Sequence, residues 1–138
     1  MKTGISMVPE DRKQDGIIAD MSVEKNMTLS NLDSYTKAAD YVDTYREKTD
    51  VRRYIDLLKI KTTSEDIAIK NLSGGNQQKV VLAKNLLVNP KIIILDEPTR
   101  GVDVGAKYEI YKNIVELAER GISVIMVSSE LPKVLGIS

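Results

Sequence analysis

Four consecutive apolar residues, Ile92-Ile93-Ile94-Leu95, run directly into Asp96-Glu97-Pro98. The run is too short for a helix or a membrane span and lacks the polar alternation of a sheet with one wet face, so it reads as a fully buried strand. Its neighbours follow the same plan. Asn76 to Val88 is helical in pattern, Lys91 to Leu95 is this strand, Val104 to Arg120 is a second helix, and Ile122 to Val127 is a second apolar strand. In the second helix Ile110, Ile114, Leu117 and Ala118 recur at i, i+4, i+7 and i+8, the spacing of a face turned to a sheet, and Gly121 stops it. Apolar strands joined by a helical crossover pair in parallel, with both faces covered in the complete fold. The fold class is therefore α/β with a parallel sheet.

The first part of the chain has a different texture. Gly4 to Val8 is a short β-like run leading into Pro9-Glu10-Asp11-Arg12-Lys13-Gln14-Asp15-Gly16, a charged turn ending in glycine. Met21 to Leu58 is helical in character. Ser22 is a suitable N-cap, with Lys25 where a full capping box would have Glu. Val51, Tyr54, Ile55 and Leu58 form one apolar face of an amphipathic helix over Thr44 to Leu58. Leu131 to Ser138 is helix-like and stops without a polar tail, and Gly4 enters a strand almost at once. More protein is expected beyond both ends.

Composition narrows the chemistry. Of 138 residues 42% are apolar, enough for one packed domain or most of one. Twenty basic and twenty acidic residues cancel, so charge gives no reason to expect nucleic acid or an anionic membrane as partner. Cysteine is absent, which removes disulfides and thiolate metal sites and fits a reducing compartment. Histidine is absent too, so no imidazole base, ligand or triad is available within this chain. Without an apolar span or a signal-peptide pattern, the expectation is a soluble, cytoplasmic chain.

Two motifs carry chemistry. Asp96 and Glu97 end a buried strand, which places two carboxylates at the carboxyl edge of a sheet, where α/β ligands bind. One can serve Mg²⁺ through its water shell while the other orients or deprotonates water for phosphoryl transfer. The plainer reading is a strand ending in a solvated acidic turn. In Leu72-Ser73-Gly74-Gly75-Asn76-Gln77-Gln78-Lys79, a hydroxyl and two glycines precede a helix, so a side-chain oxygen, open N–H groups and a positive helix end converge on an anion site. The plainer reading is an ordinary capped helix start. Taken together, in this order and at this spacing, the pair is far more specific than either part.

These residues resemble the ABC ATPases, with the signature motif at Leu72 to Lys79 followed by the Walker B strand. The likeness is to the second ATPase half of the double-domain subunits that drive bacterial monosaccharide importers of the ribose, galactose and xylose type. It extends to Pro9 to Lys13 with Asp15-Gly16, to Leu95 to Val104 with Gly105-Ala106-Lys107, and to Val127-Ser128-Ser129-Glu130-Leu131-Pro132. It covers essentially the whole chain, read as one partial ABC domain: a Q-loop region over 1–20, a helical subdomain with the signature motif over 21–90, and Walker B, D-loop and switch region over 91–138.

The resemblance implies that Ser73, Gly74 and Gly75, with Asn76 and Gln77, meet the γ-phosphate of ATP held by the opposing ATPase domain of the same subunit. It implies Mg²⁺ at Asp96, a general base or water-orienting role for Glu97, and a D-loop role across the domain interface for Asp103, which also suits an N-cap. Two positions depart from the general ABC pattern: Glu10 stands where many have the Q-loop glutamine, and Ser129 where many have the switch histidine. A serine cannot replace an imidazole, so a low-activity or regulatory site is expected on this domain. No Gly-x-x-x-x-Gly-Lys-Ser/Thr loop occurs in the sequence. The family places that loop before the first residue here, and Lys79, Lys84 and Lys107 are expected on solvated helix faces rather than in its stead.

By the same resemblance residues 21–58 grip the membrane permease, with Met21, Val23, Met27 and Leu29 as docking candidates or, equally, as core. The function implied is the ATP-hydrolysing subunit of a sugar importer, peripheral on the cytoplasmic side of the bacterial inner membrane. Rival readings are a soluble ABC protein of translation or DNA repair, and an ABC half that binds nucleotide with little turnover. By itself the 138-residue chain is expected to be inactive and to self-associate through its sheet.

Overall fold

A computed structural model describes residues 4–11, 16–29, 31, 36–37, 41–42 and 44–128. Three parallel strands make the main sheet in the order β1-β4-β5: β1 is Ile5–Val8, β4 is Ile92–Asp96 and β5 is Ser123–Val127. The register sets Ile5 beside Ile92, Ile94 beside Ile125 and Asp96 beside Val127. The apolar run is thus the central strand, hydrogen-bonded on both sides, as parallel β-branched strands are.

Two helices flank it in sequence. Helix α3, Gly74–Leu86, precedes β4, and α4, Val104–Glu119, carries the chain from β4 to β5. Together they cover one face of the sheet, burying Ser6, Val8, Ile93 and Leu95 against Val80, Val81, Leu82, Ile110 and Ile114. Leu117 is buried as its spacing predicts, whereas Ala118 is exposed; Tyr111 and Asn113 take the remaining inward positions. Gly121, at a φ of 94°, ends the helix in the left-handed region that glycine alone adopts without cost.

The opposite sheet face is open. Ile5, Met7, Ile125 and Val127 are 40%, 52%, 51% and 52% exposed, and the strand register brings them to one side with Ile94 between them. The expectation of cover on both faces is therefore met on one face only within this chain.

The helical reading of 21–58 needs correction. Helix α1 covers Val23–Thr28, capped by Ser22, whose Oγ accepts the Lys25 N–H at 3.1 Å. A short antiparallel ribbon, β2 (Thr36–Lys37) with β3 (Tyr41–Val42), then interrupts the helical pattern before α2, Thr44–Leu58. The apolar face of α2 is as expected, with Val51 and Leu58 buried and Tyr54 and Ile55 packed at the margin, but it includes Glu47, fully buried. Glu47 accepts from Thr28 Oγ1 at 2.7 Å and from Lys25 Nζ at 3.2 Å, so a charge at a core position of α2 ties it to α1. Val23 and Met27 belong to the core, which settles the alternative left open for them; Leu29 is the exposed one of the set. The segment Leu131 to Ser138 lies outside the described residues.

Candidate functional site

Asp96 is the last residue of β4, half-buried at the carboxyl edge of the sheet. Glu97 follows in the left-handed region, at a φ of 48°, with its N–H donating to Val127 O at 2.8 Å. A non-glycine residue held there costs on the order of 1–3 kcal/mol, which the strand pairing at Val127 and the turn beyond offset. That turn is itself cross-linked. Arg100 N–H donates to Glu97 O at 3.1 Å, Val102 N–H to Thr99 O at 3.2 Å, and buried Thr99 Oγ1 lies 3.2 Å from Tyr111 OH on α4. The backbone of the turn that carries the two carboxylates is thus held from the strand, the turn and the helix.

Glu10, in the turn after β1, forms an ion pair with Arg100. This pair links the turn after β1 to the Asp96-Glu97-Pro98 turn. Ser129 lies outside the described residues.

Ser73 is the N-cap of α3. Its Oγ accepts Asn76 N–H at 3.3 Å and Asn76 Nδ2 at 2.9 Å, and Asn76 Oδ1 accepts Lys61 N–H at 2.9 Å. Ser73 is exposed, and it makes no bond to the Asp96 or Glu97 carboxylates among the described residues. Gln77 does not belong with the outward residues: it is buried, and its Nε2 donates to Leu72 O at 3.1 Å and Ile69 O at 3.3 Å, holding the loop that leads into the helix. The reason is positional. Ser73, Gly74 and Asn76 face outward, while Gln77 falls on the inner side of the first turn.

Asp103 caps α4, its Oδ1 accepting Ala106 N–H at 2.8 Å. The two helix starts meet. A Cβ placed on Gly75 would lie 2.5 Å from Ala106 Cβ and 3.6 Å from Val102 Cγ1, so only glycine lets α3 and α4 approach this closely. The structure thus joins the Ser73 motif to the Asp103 turn, and Glu10 to the Asp96-Glu97 turn.

Lys79 and Lys84 differ from the sequence expectation. Lys79 is 1% exposed, its Nζ 2.7 Å from Glu109 Oε2 on α4 and 3.1 Å from Lys59 O at the end of α2. Its hydrogen bond and charge hold the Glu109 carboxyl below its ordinary value of 4.5. Lys84 is half-buried, with its ammonium pushed below its ordinary value by desolvation, and it donates to Gly16 O at 3.4 Å. Charge type alone places lysine outside; only the acceptors on α4 and the 16–18 turn reveal otherwise.

The chain belongs to the ABC transporter family, whose model matches residues 1–100. It is 58% identical over all 138 residues to the xylose import ATP-binding protein XylG of Yersinia pseudotuberculosis, and 59% identical to XylG of Pectobacterium atrosepticum. In each case it spans 27% of the relative's length. Among solved structures it resembles the dimeric ATP-binding cassette MJ0796 bound to ADP and Pi, at 25% identity with a TM-score of 0.73 over 93% of this chain and 53% of that one.

The close contact at Gly75 yields a prediction. Gly75→Ala should destabilise the chain by about 1–3 kcal/mol in urea unfolding, since the added methyl overlaps Ala106. Ala106→Gly in the same chain should recover part of that loss; additive costs in the double variant would show that the two residues do not oppose each other.

Proposed function

We propose that the protein containing this chain hydrolyses ATP to drive import of a monosaccharide, and that this chain is most of the catalytic edge of its second ATPase half. The observation that carries the reading is the identity to xylose import ATP-binding proteins over the full 138 residues. It covers the turn after β1, the α3 start and the Asp96-Glu97 turn alike, which disfavours a soluble, non-transport ABC protein.

In this reading Ser73 Oγ and the first-turn N–H groups of Gly74 and Gly75 form a donor set for the γ-phosphate of ATP bound on the opposing ATPase domain. First-turn N–H groups have no acceptor within their own helix, and the helix end favours an anion. Asp96 supplies hard oxygen donors suited to Mg²⁺, and no group of three or more His, Cys, Asp or Glu side chains gathers as a metal cage among the described residues. A cation that keeps several waters and takes its other ligands from a substrate fits such a site. Bound there, Mg²⁺ would neutralise charge on the phosphates. Glu97 accepts the proton of, or orients, the attacking water, and the backbone at Glu97 holds that carboxylate in place. Asp103 reaches the same interface through the α4 cap.

No helix among the described residues is long and apolar enough to cross a membrane. Attachment to a permease on the cytoplasmic face, through the helical part over 21–90, fits the exposed Leu29 at the end of α1.

In the full-length subunit Ser73→Ala should slow single-turnover hydrolysis at the opposing site on the order of 10²-fold, the cost of one lost transition-state donor. Glu97→Gln should act on the site of its own half instead. Unchanged turnover in Ser73→Ala would refute the in-trans assignment.

The 138-residue chain alone should self-associate through the open face bearing Ile5, Met7, Ile125 and Val127. Light scattering should show mass rising with concentration and reverting to the monomer in Ile125→Lys. A wild-type monomer at every concentration contradicts this, as does association abolished by Ser73→Arg but not by Ile125→Lys.

A further inference from the structure

Among the described residues Lys79 is the largest of the wholly buried side chains, and the proposed ATP chemistry gives it no task. An ammonium removed from water is costly unless its charge and its donors are met. Here they are met from two other helices: Glu109 on α4 at 2.7 Å, and the Lys59 carbonyl just past the end of α2 at 3.1 Å. The carbonyl end of a helix attracts a cation, and Lys59, at a φ of 55°, turns the chain there. Asn113 of α4 donates to the adjacent Leu58 O at 3.3 Å, so α3 and α4 both cap α2 at one junction.

The position of this junction matters. Gly75 touches Ala106 at the start of both helices, and Lys79 meets Glu109 about one turn further along each. A single contact leaves two helices free to pivot. Two contacts a turn apart on the same seam fix their crossing angle as well as their separation. An apolar pair at the second point would pack in several rotations, whereas an ammonium only 1% exposed is satisfied only where carboxylate and carbonyl both reach it. We propose that Lys79, through Glu109 and the Lys59 carbonyl, is a positioning residue that holds the Ser73 end of α3 in register with the Asp103 end of α4, so that the phosphate-facing donors and the interface turn are presented as one rigid unit. The depressed pKa of Glu109 agrees with an ion pair that persists in the folded chain.

This inference rests on the in-trans role proposed for Ser73, and the test separates the two. Full-length subunits carrying Lys79→Met, Lys79→Arg, Glu109→Gln and Ser73→Ala are compared, the second and third variants included because burying an apolar chain at 79 risks the fold. Single-turnover hydrolysis at the opposing site is measured with KM for ATP and thermal midpoints. Lys79→Met and Glu109→Gln should slow that site by about 10- to 100-fold, the effect of small misplacement, with KM changed less than about twofold. Lys79→Arg, which keeps the charge, should retain most of the rate. In a Ser73→Ala background neither variant should add its full loss, because the donor they position is gone.

Normal rates in both Lys79→Met and Glu109→Gln beside a slowed Ser73→Ala would overturn the positioning role alone. Losses that multiply with Ser73→Ala, or equal losses in the Arg and Met variants, would also overturn it. An unaffected Ser73→Ala would instead sink the in-trans reading on which the inference stands.

Discussion

The site is anchored by the central position of β4. Strands on both sides take up its backbone hydrogen bonds, and Ile93 and Leu95 are driven against α3 and α4, so the strand has one register and one exit. Asp96 and Glu97 leave that exit at a fixed place. The left-handed backbone at Glu97 is tolerated because Val127 on the next strand and Arg100 in the turn both bond its peptide groups. Weakening the packing of β4 would therefore loosen both carboxylates together. Glu10 pairs with Arg100, which ties the turn after β1 to the same turn.

A second constraint comes from the helices. α3 starts with the Ser73 cap and α4 with the Asp103 cap, and the absence of a side chain at Gly75 lets those two starts touch. The glycine often read as supple backbone at a phosphate site has here a packing reason as well, since no Cβ fits. The buried Lys79 adds an electrostatic condition to this steric one. Together they join the two helix starts on one side of the sheet, while the other side remains open and apolar in this chain.

Much of this is legible in the sequence, and for definable reasons. The β4 run, α4 with its Ile110 and Ile114 face, the Ser22 and Ser73 caps, and Gly121 as helix stop all follow from local pattern, because each depends on residues a few positions apart. The motif at Leu72 to Lys79 and the Asp96-Glu97 pair are recognisable by order and spacing. Failures occur where the decisive partner is distant. Glu47 and Lys79 are charges at core positions, placed there by Lys25 and Thr28 in one case and by Glu109 and Lys59 in the other. Gln77 looks like part of the anion motif and is instead a loop brace, a distinction made by one position of helical rotation. The β2–β3 ribbon has two residues in each strand, too few for a period to show.

In the proposed function the carboxylates and the helix-start donors of this chain form part of a nucleotide site that takes its phosphate cradle from other residues, since no glycine-rich loop with its lysine occurs among these 138. Calorimetric titration of the 138-residue chain with ATP and Mg²⁺ should show no stoichiometric binding at micromolar nucleotide. A one-to-one site of micromolar affinity would contradict it, because these residues would then cradle the phosphates unaided.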